Sequence, residues 1–273
     1  MIQTRAIVTN IRDLGADYFL LEVESPEIAG ASKPGHFVNV LIQDSARVVL
    51  RRPIAVFDVK SNRVQLLVKS IGEGTHWISL REPGDVVNLL GPLGKGLFDK
   101  TDAKRVIMVA GGVGLAPLYY YLTYYKELNI KTVLFYGARN AKSILFQDEL
   151  LELTDECVFV TEDGSLGEKG LVTDELRRYY LEHGTAEGDV VFACGPKFML
   201  KQVVDFADAE HVECFVSLES FMGCGAGVCL SCVIPARHYS QDGDKYFKLC
   251  TDGPVINSNI IDKRYFEESY AGH

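Results

Sequence analysis

The chain has 273 residues, a net charge of −9, 47% hydrophobic and 24% charged residues. That length exceeds what one hydrophobic core usually holds, so two or three domains are expected, with an ordinary globular composition that argues against disorder. The acidic balance, without a basic stripe, excludes a nucleic-acid binder, whose affinity comes mainly from phosphate neutralisation.

The N-terminal stretch MIQTRAIVTN has no apolar signal core, so secretion is not expected. Residues 1–99 then alternate short β-rich runs with turns. YFLLEVES (18–25), HFVNVLI (36–42), VVLRRPIAVFDV (48–59) and RVQLLVKS (63–70) are strand candidates. Pro26, KPG, SN and EPGD separate or follow them as turns. Short strands at this spacing predict an antiparallel sandwich or barrel, interrupted by one helix that starts near Gly74 and covers Trp77 to Leu80.

The texture changes near Thr101. RVIMVA (105–110) is a continuous apolar run, as in a strand buried on both faces. Leu118, Tyr121, Leu122 and Tyr125 follow at helical spacing. The whole stretch 106–122 approaches membrane-spanning length, but three glycines and Pro117 interrupt it, so it reads as strand, loop and helix. TVLFYGA, a helix around LFQDELLEL, CVFVTED, a helix from Thr173, DVVFACG, a helix from Lys197 and CFVSLE complete the series. Alternating strands and helices predict a parallel sheet covered on both faces. The expected division is a barrel over 1–99, an α/β domain over 100–213 and a small module over 214–273.

The final fifty-odd residues hold four of the seven cysteines. An odd count without a signal core fits a reducing cytoplasm, where disulfides are rare. Cys157 and Cys214 sit beside apolar runs and read as small buried residues. SFMGCGAGVCLSC (220–232) has the spacing Cys224-x4-Cys229-x2-Cys232, with Cys250 seventeen residues on. That is the plant-type [2Fe–2S] pattern, three thiolates on one loop and a distant fourth. Gly223, Gly225, Ala226 and Gly227 let backbone amides approach cluster sulfurs, and Phe221, Met222, Val228 and Leu230 are candidates to shield them from water. Structural zinc is the rival, although four-cysteine zinc sites are usually two short pairs.

VAGGVGLAP (109–117) joins a strand to a helix, where glycines and free N–H groups suit a pyrophosphate. Its pattern, Gly112-x-Gly114-x-x-Pro117, departs from the dinucleotide fingerprint, and plain packing is an equal reading of the loop by itself. A second glycine-bearing strand end, ACGP (193–196), raises the nucleotide reading, because ligands of open α/β sheets bind beyond the strands' carboxyl ends. In the barrel, Arg52 offers a fixed charge for phosphate, and Gly74 and Thr75 open a helix. By themselves these read better as an edge arginine and a helix cap. His36, His76, His183, His211, His238 and His273 are scattered, and no Ser–His–Asp set or carboxylate pair stands out.

Together, RRPIAVFDV, SIGEGT, AGGVGLAPL, TEDGSLGEKGLVTDEL, ESFMGCGAGVCLSC and CTDGPV, in this order over essentially the whole chain, resemble the ferredoxin–NADP reductase superfamily. Within it the likeness is strongest to the electron-transfer subunits of B-type dihydroorotate dehydrogenases. The resemblance implies a multidomain β plus α/β fold: a six-stranded antiparallel FAD-binding barrel, a parallel-sheet NAD-binding domain and a C-terminal [2Fe–2S] module. It assigns Arg52, Pro53, Ile54 and Ala55 to the flavin and its phosphate, Leu67, Val68 and Lys69 alongside it, and Gly74 and Thr75 to the pyrophosphate. Gly111, Gly112, Val113, Gly114, Ala116 and Pro117 would contact NAD, a diffusible co-substrate, with Cys194, Gly195 and Pro196; Cys194 would lie near the nicotinamide. Cys224, Cys229, Cys232 and Cys250 would hold the cluster.

The implied partner is an FMN-containing catalytic subunit that oxidises dihydroorotate, two copies of each forming a cytoplasmic heterotetramer without a membrane span. Ala55 departs from the serine usual in the family, which bears on the flavin's potential. Glu162 and Asp163 favour NAD over NADP, while Arg139 argues the other way. Related subunits serve hydrogenases, sulfur reductases and transhydrogenase-type complexes; in the last, one cluster cysteine is commonly aspartate, and Cys224 argues against that branch. A zinc-stabilised binding module without redox activity is the reading from another class.

Overall fold

The computed structural model describes residues 1–43, 47–96, 100, 102–237 and 246–267. His238, His273 and the expected boundary at residue 99 lie outside the described residues. The first region contains β1 (Ile2–Gly15), β2 (Tyr18–Glu24), α1 (Pro26–Ala31), β3 (Phe37–Val40), β4 (Arg52–Ala55), β5 (Asp58–Lys60), β6 (Arg63–Lys69), α2 (Glu73–Ser79) and β7 (Val86–Leu93). Its strands form one antiparallel sheet in the order β4-β3-β7-β1-β2-β6-β5.

Val56 and Phe57 alone separate β4 from β5. Val56 N donates to the His36 carbonyl at 3.0 Å and Phe57 N to the Gln65 carbonyl at 2.8 Å. One bent strand therefore touches both ends of the sheet and closes it, so the seven segments make six strands around a barrel. Alternation places Val38, Val40, Leu21, Val23, Val64, Leu66, Val87 and Leu89 inside.

Two strands and one helix lie outside the sequence expectation. β1 alternates half-buried and exposed positions, with Arg5 and Arg12 along it, so its apolar signal is diluted. Strand β7 follows the EPGD turn, where its buried positions alternate with polar and half-exposed ones. Pro26 begins α1 rather than a turn, because a missing N–H costs nothing in a first helical turn.

The second region runs β8 (Arg105–Gly111), α3 (Leu115–Glu127), β9 (Lys131–Ala138), α4 (Gln147–Leu153), β10 (Glu156–Thr161), β11 (Glu168–Lys169), α5 (Val172–His183), β12 (Asp189–Cys194), α6 (Lys197–Glu210) and β13 (Glu213–Ser217). After it come β14 (Val233–Pro235), β15 (Tyr246–Lys248), α7 (Leu249–Asp252), β16 (Val255–Asn257) and α8 (Arg264–Glu267). The second sheet has the order β11-β10-β9-β8-β12-β13-β16, parallel except for β16. Leu118, Tyr121, Leu122 and Tyr125 of α3 are fully buried on one face, and Leu176 of α5 and Val203 of α6 on the other. Each such aliphatic side chain contributes about 1.5–3 kcal/mol. Among the described residues, no helix is long and apolar enough to cross a membrane.

The regions share their cores. Phe37 and Leu93 of the barrel pack with Cys232, Ile234, Phe247 and Cys250. Tyr18, Leu20, Phe57 and Leu67 pack with the α3 side of the sheet. Residues 214–217 and 255–257 lie in the α/β sheet, as β13 and the antiparallel edge strand β16.

At the opposite end of the sheet from the glycine loop, Arg105 opens β8 and Asp189 opens β12, directly across from it. Arg105 Nη2 lies 2.5 Å from Asp189 Oδ2 and Nε donates to Oδ1 at 3.0 Å. The Asp189 side chain is 1% exposed. Removing one partner of such a pair leaves a buried charge uncompensated. Arg105→Met is expected to destabilise the fold by about 3–5 kcal/mol, measured by urea unfolding; a loss below about 1 kcal/mol would refute this account.

Candidate cofactor sites

Arg52 opens β4, and its Nη1 donates to the Leu50 carbonyl at 2.9 Å, which holds the guanidinium along the strand. Gly74, in the first turn of α2, presses against it: a Cβ there would lie 2.5 Å from Arg52 Nε. A charged side chain and a helix start thus meet with room for no methyl group between them. Thr75 Oγ1 accepts from Ile71 N at 2.9 Å and Gly72 N at 3.1 Å, so its hydroxyl shapes the turn itself. Pro53, Ile54 and Ala55 continue β4, all half-buried.

Leu67, Val68 and Lys69 end β6, paired with Leu20, Phe19 and Tyr18. Lys69 Nζ stands 4.9 Å over the Tyr18 ring. The Tyr18 hydroxyl in turn faces Gly112, whose φ of +55° is a left-handed conformation. The flavin-side strands and the glycine loop are therefore neighbours. Tyr18 carries no sequence signature that would single it out. The same is true of the Phe57–Tyr119 stack, with centroids 4.1 Å apart, which joins the barrel to α3.

The two glycine-bearing strand ends come together. A Cβ on Gly111 would meet Pro196 Cδ at 2.6 Å and Met199 Sδ at 2.7 Å. One on Gly114 would overlap the Cys194 carbonyl and lie 2.8 Å from Gly195 N. The packing and nucleotide readings of this loop are therefore compatible: glycine closes β8 onto β12, and the closed pair forms the carboxyl edge of the sheet. Val113 and Ala116 flank Gly114 around the turn, and Pro117 lies in the first turn of α3. Burial pushes the Cys194 thiol well above its ordinary range, so it stays protonated.

On the neighbouring strand ends, Asp163 is occupied by its own turn, accepting from Ser165 N at 2.9 Å and Ser165 Oγ at 2.6 Å. Glu162 and Arg139 are exposed beside it. His36 is held by packing: its Nδ1 accepts from Lys33 N at 2.9 Å, and burial, with the Lys33 charge, pushes it down to about 4.

The four thiols gather at one end of the loop: Cys229 N donates to Cys224 Sγ at 3.4 Å, and Cys232 and Cys250 are both buried in one core. Three thiols on one glycine-bearing loop and a fourth on a distant segment, with backbone N–H groups aimed at the sulfurs, fit a [2Fe–2S] cluster. Backbone donors converge on the sulfurs. Ala226 N donates to Cys224 Sγ at 3.3 Å, Gly227 N to Cys250 Sγ at 3.2 Å, and Cys224 N to Cys229 Sγ at 3.4 Å. Ser231 and the Cys224 contacts draw the Cys229 thiol down to about 6, while burial and Cys232 push Cys250 up to about 12. Met222 is buried, but Phe221, Val228 and Leu230 are 61%, 79% and 55% exposed and form an apolar rim on the surface instead of a cover.

A barrel with an arginine–glycine cradle, a parallel sheet with a glycine loop at its carboxyl edge, and a four-cysteine segment packed against both define a reductase of the ferredoxin–NADP reductase type. A solved NADH-dependent reduced ferredoxin–NADP oxidoreductase superposes with a TM-score of 0.83 at 28% identity, covering 96% of this chain and 91% of that one. Residues 108–205 match the oxidoreductase NAD-binding domain, and residues 219–262 match the iron–sulfur cluster binding domain of dihydroorotate dehydrogenase B. The dihydroorotate dehydrogenase B (NAD+) electron transfer subunit of Desulforamulus reducens is 36% identical over 88% of this chain and 90% of its own length. That of Caldanaerobacter subterraneus subsp. tengcongensis is 38% identical over 82% and 84%. The chain belongs to the family of dihydroorotate dehydrogenase B electron transfer subunits.

Gly114→Ala tests the contact between the strand ends. Overpacking against the Cys194 carbonyl is expected to cost about 1–3 kcal/mol. NADH binding should weaken by about tenfold or more, measured by titration, while flavin and iron content stay unchanged.

Proposed function

We propose that the chain is the electron-transfer subunit of an NAD-dependent dihydroorotate dehydrogenase of pyrimidine biosynthesis. It takes electrons released at the FMN of a separate catalytic subunit and delivers them, by way of [2Fe–2S] and FAD, to NAD+. The observation that carries this reading is the convergence of backbone N–H donors on the sulfurs of Cys224, Cys229 and Cys250, on a segment packed against the barrel. FAD, when bound, exchanges electrons singly with a cluster and as a hydride with NAD, so it belongs between them.

In this reading the chain's own residues position and tune. Arg52 supplies a permanent positive charge to the flavin phosphates, and the first turn of α2, at Gly74 and Thr75, offers backbone donors. Pro53, Ala55, Leu67 and Lys69 form the wall along the flavin, and Ile54 and Val68, whose side chains pack in the barrel core, contribute backbone to it. Gly111, Gly112, Val113, Gly114, Ala116 and Pro117 on one strand end, and Cys194, Gly195 and Pro196 on the other, receive the nicotinamide nucleotide. Cys194 stays a neutral thiol, so it adds no negative charge there. Cys224, Cys229, Cys232 and Cys250 would hold the cluster, which supplies one-electron transfer. The functional division is flavin over 1–99, nicotinamide over 100–213 and cluster over 214–273, the last lending β13 and β16 to the sheet.

The exposed rim of Phe221, Val228 and Leu230 is the surface that faces the catalytic subunit, in a cytoplasmic assembly of two copies of each chain. The likeness to the ferredoxin–NADP oxidoreductase favours a second reading, in which the same cofactors serve another reductase complex. Purification from the native host separates them. The first reading requires co-purification with an FMN-containing subunit and NAD+ reduction driven by dihydroorotate. A different partner, with no such activity, would overturn it. The ligand assignment has its own test: Cys250→Ser is expected to lose the iron–sulfur absorbance and iron while keeping FAD. An intact spectrum would remove Cys250 from the ligand set.

A further inference from the structure

Asn39 is 1% exposed, and neither its Nδ2 nor its Oδ1 has a hydrogen-bond partner among the described residues. Buried amides in native proteins are almost always paired, because an unpaired one forfeits its hydration without return. The side chain therefore points to a group that the fold receives from outside the polypeptide.

Its surroundings say which group. Asn39 lies on β3, directly across from Pro53 of the flavin strand. Its neighbours Val38 and Val40 line the barrel interior, so alternation sends Asn39 and Phe37 out through the opposite face. Phe37 joins the core that contains Cys232 and Cys250. Gly225 turns over Asn39 itself: a Cβ on Gly225 would overlap Asn39 Nδ2 and lie 3.0 Å from Leu93 Cδ1. Gly225 adopts a φ of +70° and sits between Cys224 and Ala226, whose N–H donates to Cys224 Sγ. The amide thus lies directly under the turn that carries the first cysteine of the loop. Thiolate and sulfide sulfurs accept and do not donate, so the Nδ2 end must face them.

We propose that Asn39 Nδ2 donates a hydrogen bond to a sulfur on the Cys224 side of the [2Fe–2S] cluster and raises the cluster's reduction potential. This rests on the cluster reading above. A reduced cluster carries one more negative charge than an oxidised one, and donors to its sulfurs stabilise that charge. Asn39 adds a side-chain donor to the backbone donors already around the loop. It comes from the barrel strand that adjoins the flavin motif, so one residue joins the tuning of the cluster to the flavin domain.

The test uses the complete holo-complex. Asn39→Leu keeps the branching and the number of side-chain heavy atoms and removes the donor. Iron, labile sulfide and FAD content should match the unmodified protein, and a loss of iron in the unmodified protein itself would instead indict the cluster reading. The cluster's midpoint potential, followed by EPR during a redox titration, should fall; a tenfold weaker preference for the reduced state reads as about 59 mV. The flavin potential should stay in place. Leu93→Val disturbs the same contact without touching a donor and should leave the cluster potential near its original value. An unchanged potential in Asn39→Leu, an equal shift in Leu93→Val, or a shift confined to the flavin would each overturn the proposal. Should Asn39→Leu fail to assemble, pulsed EPR of the unmodified complex carrying 15N in its asparagine side chains decides. A hyperfine coupling from a side-chain nitrogen to the reduced cluster is expected, and its absence would overturn the proposal.

Discussion

Two backbone hydrogen bonds tie the cysteine segment to the barrel: Gly94 N donates to the Cys250 carbonyl at 3.2 Å and Lys95 N to the Gly253 carbonyl at 2.7 Å. They follow directly from the last barrel strand, so the same residues end one region and anchor another. The fourth cysteine is thereby fixed relative to the flavin strands. With that anchor in place, Gly225 meets Asn39 and Leu93, and Phe37 enters the core beneath the thiols. Electron transfer between cofactors requires short, constant separations, and here the constancy comes from shared packing rather than from a linker.

The second half of the architecture depends on a comparable closeness. Gly111 and Gly114 hold β8 against the end of β12, and Tyr18 links that corner back to Lys69 on β6. The barrel and the parallel sheet share apolar side chains on both faces, which makes large independent motion of the two costly. At the far end of the sheet, the Arg105–Asp189 pair aligns the first residues of the same two strands. The two central strands are thus clamped at both ends, by packing at one and by charge at the other.

Much of this is legible in the amino-acid order alone. The α3 stripe of Leu118, Tyr121, Leu122 and Tyr125 is periodic enough to name its buried face, and the unbroken apolar run at 105–110 marks a central strand. The thiol spacing marks the cluster because few chemistries need three thiols in nine residues. Other features are not legible there. β1 pairs with two strands at once, yet its charged residues face solvent and hide it. Strand β16 is three residues long and joins the sheet from the far end of the chain, so no local pattern announces it. The rim residues Phe221, Val228 and Leu230 read as a cover because exposure is not a local property.

Local chemistry is enough to mark the cluster, since the thiol spacing acts over a few residues, whereas the glycine turns and the arginine take their cofactor reading only from the order of the motifs along the chain. Local chemistry is enough as well for the order of the regions along the chain. Proximity belongs to the fold. Asn39 in FVNV looks like one polar residue in an ordinary strand, and its meaning arises when Gly225, from the far end of the chain, closes over it. Burial converts a commonplace amide into an obligation to find a partner. That conversion depends on which segments are packed together, and spacing along a single chain carries no record of it.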